Sequence, residues 1–292
     1  MPALTRRAAI QGLVSALPAA SAQRSGVTVG AHPWVFAARQ PGNDLTPILD
    51  QVFREIGSAG VDGIELMHTV LMPDGSVERV RELSKRYRLP VIGTSWSAPM
   101  WNREQHAKIL AEAHTLLPRL QKTGGRTLGV SVGDARRRKT PAEFDAQADI
   151  LRKVMKLSAD HGVVVNLHNH IYEVRDGEFD LNNTLERVPE VKLGPDLNWL
   201  LRAGVDPVDF IRRRGKQIVF AHLRDQKAGG RWPEALDEGD MDYAAIGQAL
   251  REVGFQGDLV IELAHERDFQ PTRTYGESFR LSREYVRRVM KY

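Results

Sequence analysis

From residue 26 onward the chain alternates between two hydrophobic periods. Short apolar, β-branched runs are each followed by a longer stretch with apolar positions every three to four residues. The short runs are GVTVGAH (26–32), GIELM (63–67), PVIGTSW (90–96), TLGVSVG (127–133), VVVNLHNH (163–170), VKLGPDL (191–197), IVFAHLRD (218–225) and LVIELAH (259–265). Runs apolar on both faces predict strands buried on both sides, as in a parallel sheet. The stretches between them predict helices over 44–60, 76–89, 102–125, 140–162, 182–190, 206–215, 242–254 and 275–292. Asp44 is placed to cap the helix that carries Pro47 in its first turn. Thr140, Pro141 and Glu143 have the spacing of a capping box. Eight strand–helix units at a spacing of roughly 25–35 residues predict a (β/α)8 TIM barrel. The barrel is expected as a single domain over residues 23–292.

Composition narrows the chemistry. The 292 residues include no cysteine, which excludes disulfides, thiolate ligands and a cysteine nucleophile. Any metal is therefore held by nitrogen and oxygen. The net charge is +4 and the basic residues are scattered. RRRK (136–139) and RRR (212–214) are short runs that suit a solvated helix face or loop, so no nucleic acid partner is expected. Residues 1–22 carry a twin arginine (Arg6, Arg7), a mildly apolar run and Ala20-Ser21-Ala22. That pattern predicts a Tat-like export signal and a periplasmic protein; without export the protein would be cytoplasmic. Removing Arg6 and Arg7 would leave the mature chain at +4 − 2 = +2. No later run approaches the ~18 apolar residues of a membrane span, so no membrane partner is expected.

In a barrel of this kind the chemistry sits at the C-terminal strand ends. Strand 1 ends at His32 and Trp34, strand 2 carries Glu65 and His68, and strand 3 ends in Trp96. Strand 4 ends in Gly133 with little chemistry. Strand 5 ends in His168, Asn169 and His170, strand 6 in Asp196 and Trp199, strand 7 in His222, Arg224 and Asp225, and strand 8 in Glu262 and His265. Four neighbouring strands thus deliver imidazole or carboxylate at one height. His168, Asp196, His222 and Glu262 are the expected ligands of one divalent cation: Mn, Co, Zn or Fe rather than Mg, given two imidazoles. Strand alternation puts His168 and His170 on one side and Asn169 on the other. His168 lies deeper and is the expected ligand. His170, at the rim, is placed to meet substrate or to brace His168.

DGIEL (62–66), HNHIYE (168–173), DLNWLLRAGVDP (196–207), FAHLRDQ (220–226), DEGDMDYAAIGQALREVGFQG (237–257) and VIEL (260–263) carry a resemblance. Over residues 26–292 the chain resembles the xylose isomerase-like barrels, the sugar phosphate isomerase/epimerase superfamily. The resemblance implies a divalent metal held by Glu, Asp, His and Glu from strands 5 to 8. The last three match Asp196, His222 and Glu262, whereas His168 stands where the first Glu is expected. Two-base epimerisation uses carboxylates on both faces of the sugar, and here one of the pair is an imidazole. The HNH-x-x-E version is similar to a branch containing inosose dehydratase-like proteins and enzymes of 3-keto sugars and 3-keto-glycosides. These eliminate or hydrate beside a ketone.

On that resemblance Glu262 is expected as base or metal-bound carboxylate and His170 as acid. Glu65 holds a sugar hydroxyl, serves as a second carboxylate, or is a buried partner of a basic residue. Trp34, Trp96 and Trp199 offer aromatic faces to a sugar ring, with His32 and His68 beside them. Arg224 and Arg267 suit a carboxylate or phosphate. No glycine-rich phosphate loop follows strand 7 or 8, which favours an unphosphorylated carbohydrate substrate. The leading expectation is a metal-dependent elimination or hydration on a keto-sugar or keto-glycoside. The alternatives are an isomerase or epimerase of a free sugar and an inactive periplasmic sugar-binding barrel. The related AP endonucleases need a His three residues after the strand-6 Asp, where Trp199 stands. Barrels of this superfamily are often dimers or tetramers, so the resemblance allows a homo-oligomer.

Overall fold

The computed structural model describes residues 26–292, so the expected export signal over 1–22 lies outside the described residues. The strands are β1 Thr28–His32, β2 Gly63–Met67, β3 Val91–Ser97, β4 Thr127–Ser131, β5 Val164–Leu167, β6 Lys192–Leu193, β7 Phe220–Leu223 and β8 Asp258–Glu262. All pair in parallel, in the order β6-β5-β4-β3-β2-β1-β8-β7. Bridges Leu193↔Ile218 and Asp196↔His222 bring β6 to β7, so the eight strands form a nearly closed (β/α)8 TIM barrel. Among the described residues no helix is long and apolar enough to cross a membrane.

The outward faces of the strands, such as Ile64, Leu66, Leu128, Val130, Leu259 and Ile261, are buried in the main core against the helices. Inside the barrel a second, small cluster of Ile92, Phe220 and Val260 plugs the lower half. Gly30 and Gly63 make room for it, because a Cβ on either would come within 2.5 Å of Ile92. Above this plug the interior turns polar. Gly129 faces Glu65, Asn166 and His168 there. The apolar floor and the polar layer fix the height of the site.

Local chemistry accounts for the helix starts. Thr140 and Glu143 form the expected capping box on helix Pro141–Asp160. Asp44 behaves differently from expectation. Its Oδ1 accepts from Thr46 N–H at 2.9 Å and opens a 3-10 turn over Thr46–Ile48; the α-helix proper is Leu49–Ser58. The helical region after β5 starts eleven residues earlier than the expected 182, at Ile171, and runs to Arg187. Asp176, Gly177 and Glu178 interrupt it at positive φ, and Arg213 holds the buried Glu178 carboxylate at 2.6 Å.

Candidate metal centre

Four strand ends converge at the C-terminal mouth. One ligand atom each from His168, Asp196 and His222 lie within 4.8 Å of one another. Glu262 joins them, with Oε2 2.9 Å from His222 Nδ1. All four side chains are buried, Asp196 completely. His168 Nδ1 and Asp196 Oδ2 have no hydrogen-bond partner among the described residues, and His222 Nδ1 meets only the Glu262 carboxylate. Leaving such buried atoms unsatisfied costs about 1–3 kcal/mol each, yet both belong to this one cluster.

The far sides of Asp196, His222 and Glu262, by contrast, are tied down. Asp196 Oδ1 accepts from the N–H groups of Asn198 and Trp199, both at 2.9 Å. His222 Nε2 is 2.6 Å from Glu65 Oε2. Glu262 Oε1 is 2.5 Å from Arg224 Nη2. Ligands whose outer atoms are held while their inner atoms stay free are the pattern of a metal site. Two imidazoles and two carboxylates fit a divalent first-row cation.

Charge is balanced within the cluster. Burial would lower the His222 pKa, but the Glu65 and Glu262 carboxylates outweigh it and raise it to about 10. Burial would raise the Glu262 carboxyl, but Arg224 and His222 hold it well below the usual range. Burial pushes the Asp196 carboxyl up against the pull of Arg224, which lies 3.4 Å away. Burial, then the neighbouring His222, drives His168 well down, so its ring is neutral and fit to ligate.

The middle residue of His-Asn-His has its own task. β6 is only two residues long, so no ladder reaches Asp196 from β5. The Asn169 side chain points out of the barrel interior and replaces it, accepting from Asp196 N–H at 3.2 Å and donating to Asp196 O at 3.3 Å. Asn169→Ala is expected to cost about 1–3 kcal/mol in urea denaturation, with m unchanged. An unaltered midpoint would mean that the pair does not hold the β6 end.

At the rim, His170 stacks on Tyr172 (ring centroids 5.3 Å apart) and stands 6.2 Å from Trp199. Desolvation pushes its pKa down to about 4. Its Nδ1 lies 3.2 Å from both Ser131 Oγ and the Tyr172 hydroxyl. Glu173 Oε2 accepts from His170 N–H at 2.7 Å, and Oε1 accepts from Ser131 at 2.6 Å. Burial raises the Glu173 carboxyl to about 8. His32 Nε2 is 3.0 Å from Ser95 Oγ, and its Nδ1 accepts from Trp34 N–H and lies 3.9 Å from Glu262. Trp199 and Trp232 flank Arg224, whose guanidinium is 5.6 and 5.4 Å from their ring centroids.

Several expectations change. Glu65 is 1% exposed and engaged by His222, the arrangement of the buried partner of a basic residue that the sequence allowed. Trp96 is not at the mouth. A bulge in β3 pairs Ile64 with Val91 but Glu65 with Gly93. Gly93, Ser95 and Ser97 therefore face inward, and Trp96, beside Val130, packs into the outer core. Arg224 is buried and engaged by Glu262 and Asp196. Arg267 is exposed beyond β8 and contributes its carbonyl to Arg39. His68 is half-buried in a short helix after β2, and Trp34 is half-buried against the core. Strand 4, read as chemically bare, supplies Ser131. Glu173 was within reach of sequence reasoning: it stands three residues after His170, the spacing of a capping box, with histidine in the capping place.

Residues 53–285 match the family model described as xylose isomerase-like TIM barrel, and the chain belongs to that family. It is 26% identical over 274 residues to the uncharacterized protein ML2432 of Mycobacterium leprae, covering 82% of this chain and 93% of that one. It is 24% identical over 264 residues to the rhizopine catabolism protein MocC of Rhizobium meliloti, covering 78% of each. Its fold is similar to that of the 3-keto-D-glucoside 4-epimerase YcjR of E. coli, with TM-score 0.69 and 19% identity over 88% of this chain and 99% of that one. A D-psicose 3-epimerase gives TM-score 0.73 at 14% identity, over 91% and 100%. At these identities the structural likeness is one of fold.

Proposed function

We propose that the protein is a divalent-metal-dependent carbohydrate enzyme that moves a proton beside a ketone and eliminates or adds water or an aglycone on a keto-sugar or keto-glycoside. The observation that carries this reading is the convergence of buried ligand atoms from His168, Asp196 and His222 within 4.8 Å of one another, with Glu262 beside them and His168 Nδ1 and Asp196 Oδ2 without a hydrogen-bond partner. A cation held there would polarise a substrate carbonyl and acidify the neighbouring C–H. The fold likeness to enzymes named as 3-keto-glucoside and ketose epimerases supports the substrate class.

The chain's own residues favour one proton-transfer group over two. His168 replaces the first carboxylate of the two-base pair. Arg224 ties Glu262 and keeps its carboxyl ionised and weakly basic, so Glu262 serves as ligand more readily than as base. Glu65 is turned toward His222. His170 remains, partly exposed at the mouth and neutral. A single group on one face can take a proton and return it to a departing oxygen. Two-base epimerisation needs a second group on the opposite face.

Elemental analysis of the purified wild type beside His168→Ala and Glu262→Ala tests the centre. About one divalent metal per chain is expected in the wild type and a loss in both variants. A metal-free wild type, even after reconstitution, would remove this reading and favour an inactive sugar-binding barrel. Mass spectrometry of 3-keto-glucoside incubations then separates the reactions, because elimination or hydration changes substrate mass and isomerisation conserves it.

A further inference from the structure

Behind His170 runs a chain of hydrogen bonds that the metal centre does not use. Ser131, at the end of β4, lies 2.6 Å from Glu173 Oε1 and 3.2 Å from His170 Nδ1. The Tyr172 hydroxyl is 2.7 Å from the same Ser131 oxygen. The second Glu173 oxygen is fixed by the N–H of His170 itself. Glu173 is 4% exposed, which shuts its carboxyl away from bulk water. His170 Nε2, across the ring from Ser131, has no protein partner among the described residues, and the side chain is 38% exposed. One nitrogen of the imidazole is thus wired to a buried carboxyl and the other is open to a ligand.

We propose that Ser131 and Glu173 form a proton reservoir behind His170, so that the imidazole moves a proton at Nε2 while staying neutral. When Nε2 takes a proton from a substrate carbon, the C–H electron pair remains on the substrate as an enolate. The Nδ1 proton passes to Ser131 Oγ, the Ser131 hydroxyl proton passes to Glu173 Oε1, and Glu173 changes from carboxylate to acid. The reverse sequence delivers a proton from Nε2 to the departing oxygen and restores the carboxylate. No co-reactant is needed.

The Glu173 environment suits a reservoir. Burial raises its carboxyl to about 8, with the Asp180 charge acting in the same direction and Lys139 against it. A group poised near neutrality both takes and gives a proton. Lys139 is itself paired with Asp180 at 2.7 Å, and burial raises the Tyr172 phenol out of the working range, so Glu173 is the member of the chain that titrates.

This inference rests on His170 serving the reaction, but its test needs neither substrate nor activity. Long-range 1H–15N spectra of the full chain, supplied with diamagnetic zinc, report which His170 nitrogen carries the proton; His170→Gln identifies the signals. In the wild type the proton is expected on Nε2 below the Glu173 midpoint, where Glu173-H donates to Ser131 and Ser131 to Nδ1. Above it the proton is expected on Nδ1. Glu173→Gln keeps the bond to His170 N–H and donates permanently to Ser131, so it should hold the proton on Nε2 at every pH. Ser131→Ala should abolish the exchange, and Tyr172→Phe should retain it. An exchange that persists in Ser131→Ala, or none in the wild type, overturns the reservoir. Failure of the metal reading would leave the tautomer exchange intact, so the two failures are separable.

Discussion

Replacing His222 with alanine is expected to cost the metal-free protein about 3–5 kcal/mol, because it strands the buried Glu65 carboxylate and leaves Glu262 to Arg224 alone. The His222 ring lies between Glu65 at 2.6 Å and Glu262 at 2.9 Å, and the three side chains are almost wholly buried. His168→Ala is the control. It also removes a ligand, but its Nδ1 has no hydrogen bond to lose, so its cost in the same buffer should be clearly smaller. Urea denaturation in excess chelator measures both. The sign with pH follows from the His222 shift. Its pKa in the fold, about 10, is above the ordinary value of 6.5. The stabilisation is therefore complete below about pH 6.5 and lost as pH rises through about 10. The metal-free wild type should lose stability across that window by up to about 1.4 kcal/mol per pH unit, and His222→Ala should lack that slope. Equal stability of His222→Ala and His168→Ala would show that the charged triad does not hold the mouth together.

The barrel was legible in the sequence because parallel strands under helices must be apolar on both faces, and each of the eight strands overlaps one such run. The cluster at the mouth was legible for a related reason. His168, Asp196, His222 and Glu262 end consecutive strands, and in a closed barrel consecutive ends share one rim. What failed was anything set by register or by side-chain partnership. Trp96 lies four residues after the inward-facing Ile92, so strict alternation along β3 would turn it inward, and a single bulge at Ile92 turns it outward. Glu65 is a carboxylate on an inward position, as a catalytic one would be. Only the 2.6 Å contact across the barrel to His222, 157 residues away, gives it a supporting role. Ser131 gives no signal at all from within TLGVSVG, since its meaning depends on Glu173 and His170 arriving from the next strand's loop. The same contact-level information moves the base assignment, because Arg224 bound to Glu262 is invisible in FAHLRDQ and VIEL.

Metal affinity should rise about tenfold per pH unit from roughly pH 6 to 9, since ligation requires His222 to lose its proton. The proton belongs to the triad with Glu65 and Glu262, which holds the His222 pKa at about 10 in the metal-free protein. Titration calorimetry with zinc or manganese in buffers of different ionisation enthalpy should register release of about one proton per metal at neutral pH. Glu65→Gln separates the two services of Glu65. As a charge, Glu65 keeps His222 protonated and so competes with metal; its loss should lower the His222 pKa and flatten the pH slope above that lowered value. As a hydrogen-bond acceptor, Glu65 orients the ring so that Nδ1 faces the cluster. Its loss should weaken binding by about 10–100-fold at the alkaline limit, where no proton competes. A Glu65→Gln variant with the wild-type slope and wild-type alkaline affinity would mean that Nε2 of His222 is not held by Glu65 in solution, and the assignment of Nδ1 as the ligating atom would fall with it.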